Sequence, residues 1–362
     1  MTAPAVAVVA VLYRQTDAEI AAFCRTVANM TPPPVGVWLA MNDPARRLPV
    51  APGAAGVEIT EVRTGGNVGW TGGVNRAAAE AIVAGAELLL VMNTDIDVVR
   101  PDMPACLARA LADTPDLAAV SPVITWGRDG VDTGLVWYRG AKVWRRAVAT
   151  RHPGMNKRVR QSGSLVATDM PSGCTMMVRG AAWTATGGFD EDLFAYFDEA
   201  EWAWRTRALG WRIAVLDLHM VVHHSAAKWG EVTAYLFGRN PVVVATKHLS
   251  RAGVWATVAL QLATTLFYLP RAAGSRSVAA WLRGIRDGAR WPDVSWPRWL
   301  PPAASPPRPP EGPGRRHASR RQVVPDDRPS CRPYLTKEDH KCTPGQATSP
   351  SASPAPTTAG RA

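Results

Sequence analysis

The stretch Leu88-Leu89-Leu90-Val91-Met92-Asn93-Thr94-Asp95-Ile96-Asp97 constrains the fold more than any other part of the chain. Five unbroken apolar residues read as a strand buried on both faces, as in a parallel sheet covered by helices. The run then ends in two carboxylates one residue apart. Open α/β sheets bind ligands beyond the carboxyl ends of their strands, and oxygen ligands on a rigid strand end suit a hard divalent cation. Ordinary loop or capping acids would produce the same pattern, so Asp95 and Asp97 alone leave both readings open.

The preceding segments alternate. Val6 to Leu12 reads as a strand, and Asp17 opens a helix whose Ile20, Phe23, Cys24 and Val27 fall at helical spacing. Pro32-Pro33-Pro34 stops it before a second strand, Val35 to Met41, that ends at Asn42-Asp43. A short strand over Val57 to Val62 and an Ala-rich helix over 76–84 complete the pattern, which predicts a parallel sheet with right-handed crossovers. Between those two lies Gly65-Gly66-Asn67-Val68-Gly69-Trp70-Thr71-Gly72-Gly73-Val74-Asn75. Its glycines at 66, 69 and 72 are spaced by threes, and no Gly-Lys-Ser/Thr follows, which excludes a Rossmann dehydrogenase loop and a P-loop. Glycines ahead of a helix let backbone amides approach a phosphate, with Asn67 and Asn75 as added donors at the same mouth. A plain tight turn is the alternative.

Further on, Pro101 to Leu111 reads as helix, Ala118 to Ile124 as strand, and 125–165 as irregular. Trp126, Trp137 and Trp144 there serve either core packing or sugar stacking. Thr175 to Arg179 reads as a strand, Gly187 to Glu191 as a turn, and Phe194-Ala195-Tyr196-Phe197 as an aromatic wall. Asp198-Glu199-Ala200-Glu201 opens a helix running to Gly210. Acids in a first turn complement the helix dipole, but three within four residues exceed what capping needs, and one is a candidate general base. Strands over Trp211 to Leu216 and Met220 to Ser225 follow, the second ending in His223-His224, candidate metal or phosphate contacts.

Residues 231–290 read as helical. Ala252 to Leu269 carries no charge and is almost long enough to span a bilayer. Gln261 and several threonines favour a monotopic or protein-packed helix instead. Arg271, Arg276, Arg283, Arg286 and Arg290 suit anionic lipid, and beyond Trp291 the Pro-, Ser- and Arg-rich composition reads as a disordered tail. The formal charge of +11 favours an anionic partner. Much of the excess lies in this helical end and tail while the acids gather at the candidate site, which argues against nucleic acid on the core. Five scattered cysteines form neither a disulfide framework nor a C-x-x-C site, so a reducing cytosol is expected. The N-terminus lacks a signal-peptide pattern.

Together these pieces resemble the family 2 glycosyltransferases of GT-A fold, especially the bacterial rhamnosyltransferase-like and galactofuranosyltransferase-like branch, over residues 5 to 290. Asn67-x-Gly69-x-x-Gly72-Gly73-x-Asn75 is similar to the family's loop near the nucleotide, and Asn93-Thr94-Asp95-Ile96-Asp97 to its N-x-D metal segment. Ser172-Gly173-Cys174 through Arg179 resembles its S-G strand. Gly188-Phe189-Asp190-Glu191 followed by Phe197-Asp198-Glu199-Ala200-Glu201-Trp202-Ala203-Trp204-Arg205 resembles G-F-D-E…F-E-D-x-D-x-x-x-R. His223-His224-Ser225 and Arg239-Asn240 also have counterparts.

The resemblance implies a Rossmann-like mixed sheet flanked by helices. It divides the chain into a GT-A domain over 1–230 (nucleotide-sugar half 1–100, acceptor and catalytic half 101–230), a membrane-associated helical segment over 231–290, and the tail 291–362. It implies an inverting transfer from a UDP- or dTDP-sugar to a saccharide or lipid-linked saccharide, at the inner face of the cytoplasmic membrane, in cell-wall or surface polysaccharide synthesis. Glu199 or Asp198 would be the base. Asp95 would hold Mn²⁺ or Mg²⁺, with Asp97 as second ligand or sugar contact and His223 or His224 nearby. Asn42, Asp43, Asn67, Gly69, Gly72, Gly73, Asn75, Glu201, Trp202 and Arg205 would meet the substrates. Two departures touch the nucleotide site: Tyr13-Arg14 stands where Asn is frequent, and Asn42-Asp43 where an Asp is usual. A sugar nucleotidyltransferase is the rival enzyme, but Val11-Leu12-Tyr13-Arg14-Gln15 lacks its Gly-rich basic signature. A non-catalytic, basic membrane- or nucleic-acid-binding protein is the rival outside enzymes.

Overall fold

The apolar runs of the first hundred residues become one half of a single sheet. A computed structural model of the protein describes residues 4–48, 57–224, 230–267 and 274–293, all within the unit Met1–Pro307. In chain order the strands and helices are β1 (Val6–Leu12), α1 (Asp17–Ala28), β2 (Gly36–Met41), β3 (Ile59–Arg63), α2 (Gly69–Val83), β4 (Leu88–Met92), β5 (Ile96–Val98) and α3 (Met103–Ala112). Then come β6 (Leu117–Arg128), β7 (Val131–Tyr138), β8 (Lys142–Trp144), β9 (Ala149–Arg151), β10 (Leu165–Ala167), β11 (Thr175–Arg179) and α4 (Gly180–Thr186). The last are α5 (Asp198–Ala208), β12 (Arg212–His223), α6 (Glu231–His248), α7 (Arg251–Phe267) and α8 (Ser275–Ala289).

Ten strands form a mixed sheet in the order β10-β12-β6-β11-β4-β1-β2-β3, with β5 on β12 and β7 on β6. The strands β3, β2, β1 and β4 are parallel, as the alternation predicts. Strand β11 then enters antiparallel between β4 and β6, and this turns the sheet from parallel to mixed. Strands β1, β2 and β4 are buried at every position, consistent with helices on both faces. The fold is therefore the Rossmann-like mixed α/β sheet that the motifs imply.

Several expectations need correction. Helix α2 begins at Gly69 rather than at 76, so Gly72, Gly73 and Asn75 are helical residues and not loop. Gly73 lies against β1, where a Cβ would come within 2.8 Å of the Val11 side chain, and this lets the helix start close to the sheet. The stretch 125–165 is not irregular: β6 runs on to Arg128, β7 returns along it, and β8–β9 form a separate ribbon. Their exposed, polar positions hide the strand period. The two strands read over 211–225 are one, β12, interrupted by register shifts around His219.

Helices α6 and α8 cross closely through glycines, since a Cβ on Gly238 or Gly284 would overlap the facing backbone. They enclose an apolar cluster of Tyr235, Leu236, Val242, Trp281 and Ile285 that also takes in Phe194. Among the described residues no helix is long and apolar enough to cross a membrane. Most of the expected tail, with Arg271 and the end of the charge-free stretch, lies outside the described residues.

Candidate active site

The chain leaves β1 toward β2 on one side and reaches β4 on the other, so the carboxyl ends of β1 and β4 form the switch point at which such sheets bind ligands. A cleft of about 930 Å³ opens there. Tyr13, Arg14 and Gln15 line it from β1, Asn93, Thr94 and Asp95 from β4, and Asn42, Asn67 and Gly69 from the neighbouring loops. Glu19, Trp70, Phe194, His224 and Val232 complete the wall with others. A smaller cavity of about 420 Å³ continues past Asn42 to Asp43 and Gly66.

The glycine–asparagine segment shapes this mouth more through geometry than through donated bonds. Asn67 accepts the Gly69 amide at 3.0 Å, and Asn42 donates to the Gly69 carbonyl at 2.8 Å. Gly69 has φ of +75° and lies directly under Phe194, a place where any Cβ would collide. Asn42 is buried with its Oδ1 unpartnered. Asp43 accepts the Ala45 amide in a turn. Asn75 is not at the mouth: its amide accepts the Phe189 N–H and donates to the Phe189 carbonyl, both at 2.8 Å. It staples α2 to the 188–191 turn instead.

At the end of β4, Asp95 lines the cleft with its Oδ1 3.4 Å from Nε2 of the buried His223. The far nitrogen of that ring, Nδ1, is buried and unpartnered. Asp97 is on β5, mostly exposed, and its Oδ2 is 2.7 Å from Nε2 of His224; it is not part of the cleft wall. Among the described residues no group of three or more His, Cys, Asp or Glu side chains is arranged to hold an ion. Asp95 with His223 does fit a cation of the kind that takes one or two protein ligands and completes its shell with substrate phosphates and water. Asp97 is committed to His224.

Helix α5 presents its acids in three different environments. Glu199 accepts the Gly173 amide at 3.1 Å, and a Cβ at Gly173 would be 2.6 Å from its Oε1. The next residue, Cys174, accepts the Asn93 amide at 2.8 Å through its carbonyl. Two consecutive residues ahead of β11 thus carry Glu199 on one side and the Asn93–Asp95 segment on the other. Burial raises the Glu199 carboxyl above its ordinary value, although backbone amides oppose the shift. Asp198 is 1% exposed with Oδ2 unpartnered, and burial followed by the neighbouring Glu199 pushes it well above the carboxylate range.

Glu201 and Arg205 line a separate cavity of about 420 Å³ with Lys247 and His248. Trp202 is 0% exposed, packed against Trp183 and Phe189, with its Nε1 donating to Thr186. Burial pushes Glu201 up, but hydrogen bonds from His248 and Arg205 outweigh it and hold the group below its ordinary value. Arg205 also donates to the carbonyls of Thr186 and Gly188. The pair ties α5 to the 186–188 turn.

The aromatic segment ahead of α5 is strained. Phe194, Tyr196 and Phe197 all have φ between 64° and 69°, a region that non-glycine residues enter at a cost and keep only where the surroundings impose it. Asn240, 0% exposed on α6, imposes it by donating to the carbonyls of Leu193, Ala195 and Tyr196 at 2.7–2.9 Å. Arg239 adds the Asp192 carbonyl. The Phe194 carbonyl in turn accepts the Thr71 amide in the first turn of α2. Neither this clamp nor the Tyr13-Arg14-Gln15 wall follows from spacing. The buried Arg-Asn pair in an apolar helix was the available signal.

No protein-family model matches the chain. The N-acetylglucosaminyl-diphospho-decaprenol L-rhamnosyltransferase of Mycobacterium tuberculosis (strain CDC 1551 / Oshkosh) is 26% identical over 246 residues, 62% of this chain and 77% of that protein. The same enzyme of strain ATCC 25618 / H37Rv matches equally. The chain is thus similar in sequence to a rhamnosyltransferase. Among solved structures, GalNAc-T7 with UDP, GalNAc and Mn²⁺ superposes on this chain with a TM-score of 0.49 at 14% identity, over 62% of this chain and 43% of that one. The mannosyltransferase PcManGT from Pyrobaculum calidifontis, in complex with GDP-Man and Mn²⁺, gives 0.47 at 15% identity, over 81% of this chain and 77% of that one.

Proposed function

We propose that this glycosyltransferase moves a sugar, with inversion, from a UDP- or dTDP-sugar to a hydroxyl of a lipid-linked saccharide. The setting is cell-wall or surface polysaccharide synthesis at the inner face of the cytoplasmic membrane. The observation that carries the reading is the junction at Gly173-Cys174, which hangs a carboxylate of raised basicity beside the acid-tipped end of β4. Lipid-linked acceptance is supported by the mycobacterial relative, whose name gives a diphospho-decaprenol substrate.

The cleft accommodates a nucleotide diphosphate sugar by volume. Asn42, Asn67 and the end of β1 enclose the nucleotide, and Thr94 and Asp95 face the diphosphate. A divalent cation bound by Asp95 and His223 would neutralise charge on the departing diphosphate. Glu199 takes the proton of the acceptor hydroxyl as that oxygen bonds to the anomeric carbon, and the bond from that carbon to the nucleotide diphosphate breaks. Burial of Glu199 raises its proton affinity toward the working pH, which favours this role. Phe194 and its turn shield the reacting centre from water.

The test is a thermal-shift screen of UDP-, dTDP- and GDP-sugars with and without Mn²⁺, on the wild type and Glu199→Gln. One UDP- or dTDP-sugar should raise the melting temperature only with the metal, and equally in both proteins. Glu199→Gln should lose about a hundred- to ten-thousand-fold in kcat. Loss of donor binding in parallel with turnover would remove Glu199 as base, and metal-independent stabilisation would remove the cation.

A further inference from the structure

From the cleft a run of side-chain contacts leads outward onto the β6–β7 hairpin. Asp95 meets His223, and the His223 ring lies against the Trp137 indole with centroids 4.6 Å apart. Trp126 stands edge-on to Trp137 at 6.0 Å, and its Nε1 donates to the Asn156 side chain at 2.9 Å. Both tryptophans are partly exposed. Strand pairing accounts for the reach of Trp137. Ile124 faces Tyr138 and Thr125 faces Val136, so β7 holds one residue more than β6 there, and Trp137 is that residue. Bulges of this kind re-aim side chains beside active sites.

A guanidinium stands beside the two rings. Leu135 and Trp137 are partly exposed where Val136 and Tyr138 are buried, so the first two share the outer face of β7. Arg158 bridges Leu135 from the neighbouring antiparallel segment. That pairing puts it on the same face and diagonal to Trp137, within reach of a long side chain. Arg158 and Arg160 are exposed, and neither pairs with a carboxylate among the described residues. The surrounding charge has one sign: residues 133–168 hold eight Lys and Arg and no Asp or Glu. Such a field draws an anionic ligand.

An indole next to an unpaired guanidinium matches a sugar joined to phosphate. The C–H face of a sugar ring covers an aromatic surface, and a guanidinium fork binds phosphate oxygens in pairs. We infer that Trp137, with Trp126 and Arg158, forms the acceptor subsite. It takes a saccharide bearing phosphate or diphosphate at its reducing end, the ring on Trp137 and the phosphate on Arg158. The inference rests on the transferase reading and adds the residues that select the acceptor. Its test does not depend on transfer.

The test is isothermal titration calorimetry of the full chain, without metal or nucleotide sugar. The probes are glucosyl, galactosyl and N-acetylglucosaminyl diphosphates carrying an octyl chain, the matching octyl hexosides, and inorganic pyrophosphate. At least one hexosyl diphosphate should bind about tenfold or more tightly than its hexoside, and more tightly than pyrophosphate. Rising salt should shrink that advantage, and Arg158→Glu/Arg160→Glu, changed at exposed positions, should erase it. Trp137→Leu should weaken both kinds of sugar probe about tenfold, and Trp137→Phe should recover most of the loss. The inference is overturned if no sugar probe binds, or if diphosphate and hexoside bind equally. It is also overturned if pyrophosphate binds as tightly as the best sugar, or if Arg158→Glu/Arg160→Glu discriminates like the wild type. Those results alongside nucleotide-sugar stabilisation would leave the transferase reading standing. The expected pattern without that stabilisation would count against the transferase reading alone.

Discussion

Asp198 occupies the first turn of α5 with one carboxylate oxygen unpartnered and the other near backbone amides. Burial and the adjacent Glu199 favour its neutral form. The sign follows from linkage: an unfolded Asp ionises near pH 4, while the folded one keeps its proton to higher pH. Its contribution is therefore complete below about pH 4 and is lost as pH rises toward the folded value. Asp198→Asn removes that penalty and keeps an acceptor for the backbone amides. The variant should gain about 1 kcal/mol or more over the wild type at pH 8, and the gap should close by pH 4, as read from melting curves across that range. A constant gap would mean Asp198 is ionised throughout. The same pair separates the chemical roles, since Asp198→Asn retains transfer if Glu199 is the base.

The clamp on the aromatic turn belongs to the scale of elements. Asn240 gives one side-chain amide to three carbonyls, so Asn240→Ala leaves several buried acceptors unpaired beside a backbone already held at positive φ. The expected loss is about 2–4 kcal/mol in urea unfolding, with a rise in donor KM because Phe194 lines the cleft and anchors the first turn of α2. A stable variant with unchanged KM would show that the turn holds itself. At this scale the sequence was informative where burial was uniform and misleading where side chains work locally. Strands β1 and β4 were visible because nothing but apolar residues fits between two helical layers. Helix α2 was placed too late because glycines read as breakers, although Gly73 is there to let the helix reach Val11. Trp202 and Glu201 looked like site residues by motif, yet their partners, Thr186, Arg205 and His248, lie elsewhere in the chain.

For the molecule as a whole, Asp217 carries a pH dependence opposite in sign to that of Asp198. Asp217 is held below its ordinary range by hydrogen bonds from Arg139 and then Ser162, and it ties β12 to the segments on either side of β8–β9. A lowered folded value contributes stability above about pH 4 and loses it as pH falls. The melting temperature should therefore drop on acidification, and Asp217→Asn should cost about 1–3 kcal/mol at pH 7 while flattening the acid arm of the profile. An unchanged acid arm would assign acid unfolding to other groups. Order along the chain revealed the parallel half of the sheet. The mixed half depends on β11 entering between β4 and β6, a long-range pairing that no local period encodes.

That entry of β11 has a further consequence. Gly173 and Cys174 share a peptide bond, and one holds the Glu199 carboxylate while the other holds the Asn93 amide at the end of β4. The spacing between Glu199 and the end of β4 is thus set by two hydrogen bonds to adjacent residues of one backbone, as by a gauge block. On the proposed mechanism, change toward new acceptors is then confined to what can reach Glu199, because the backbone that places Glu199 also holds the end of β4.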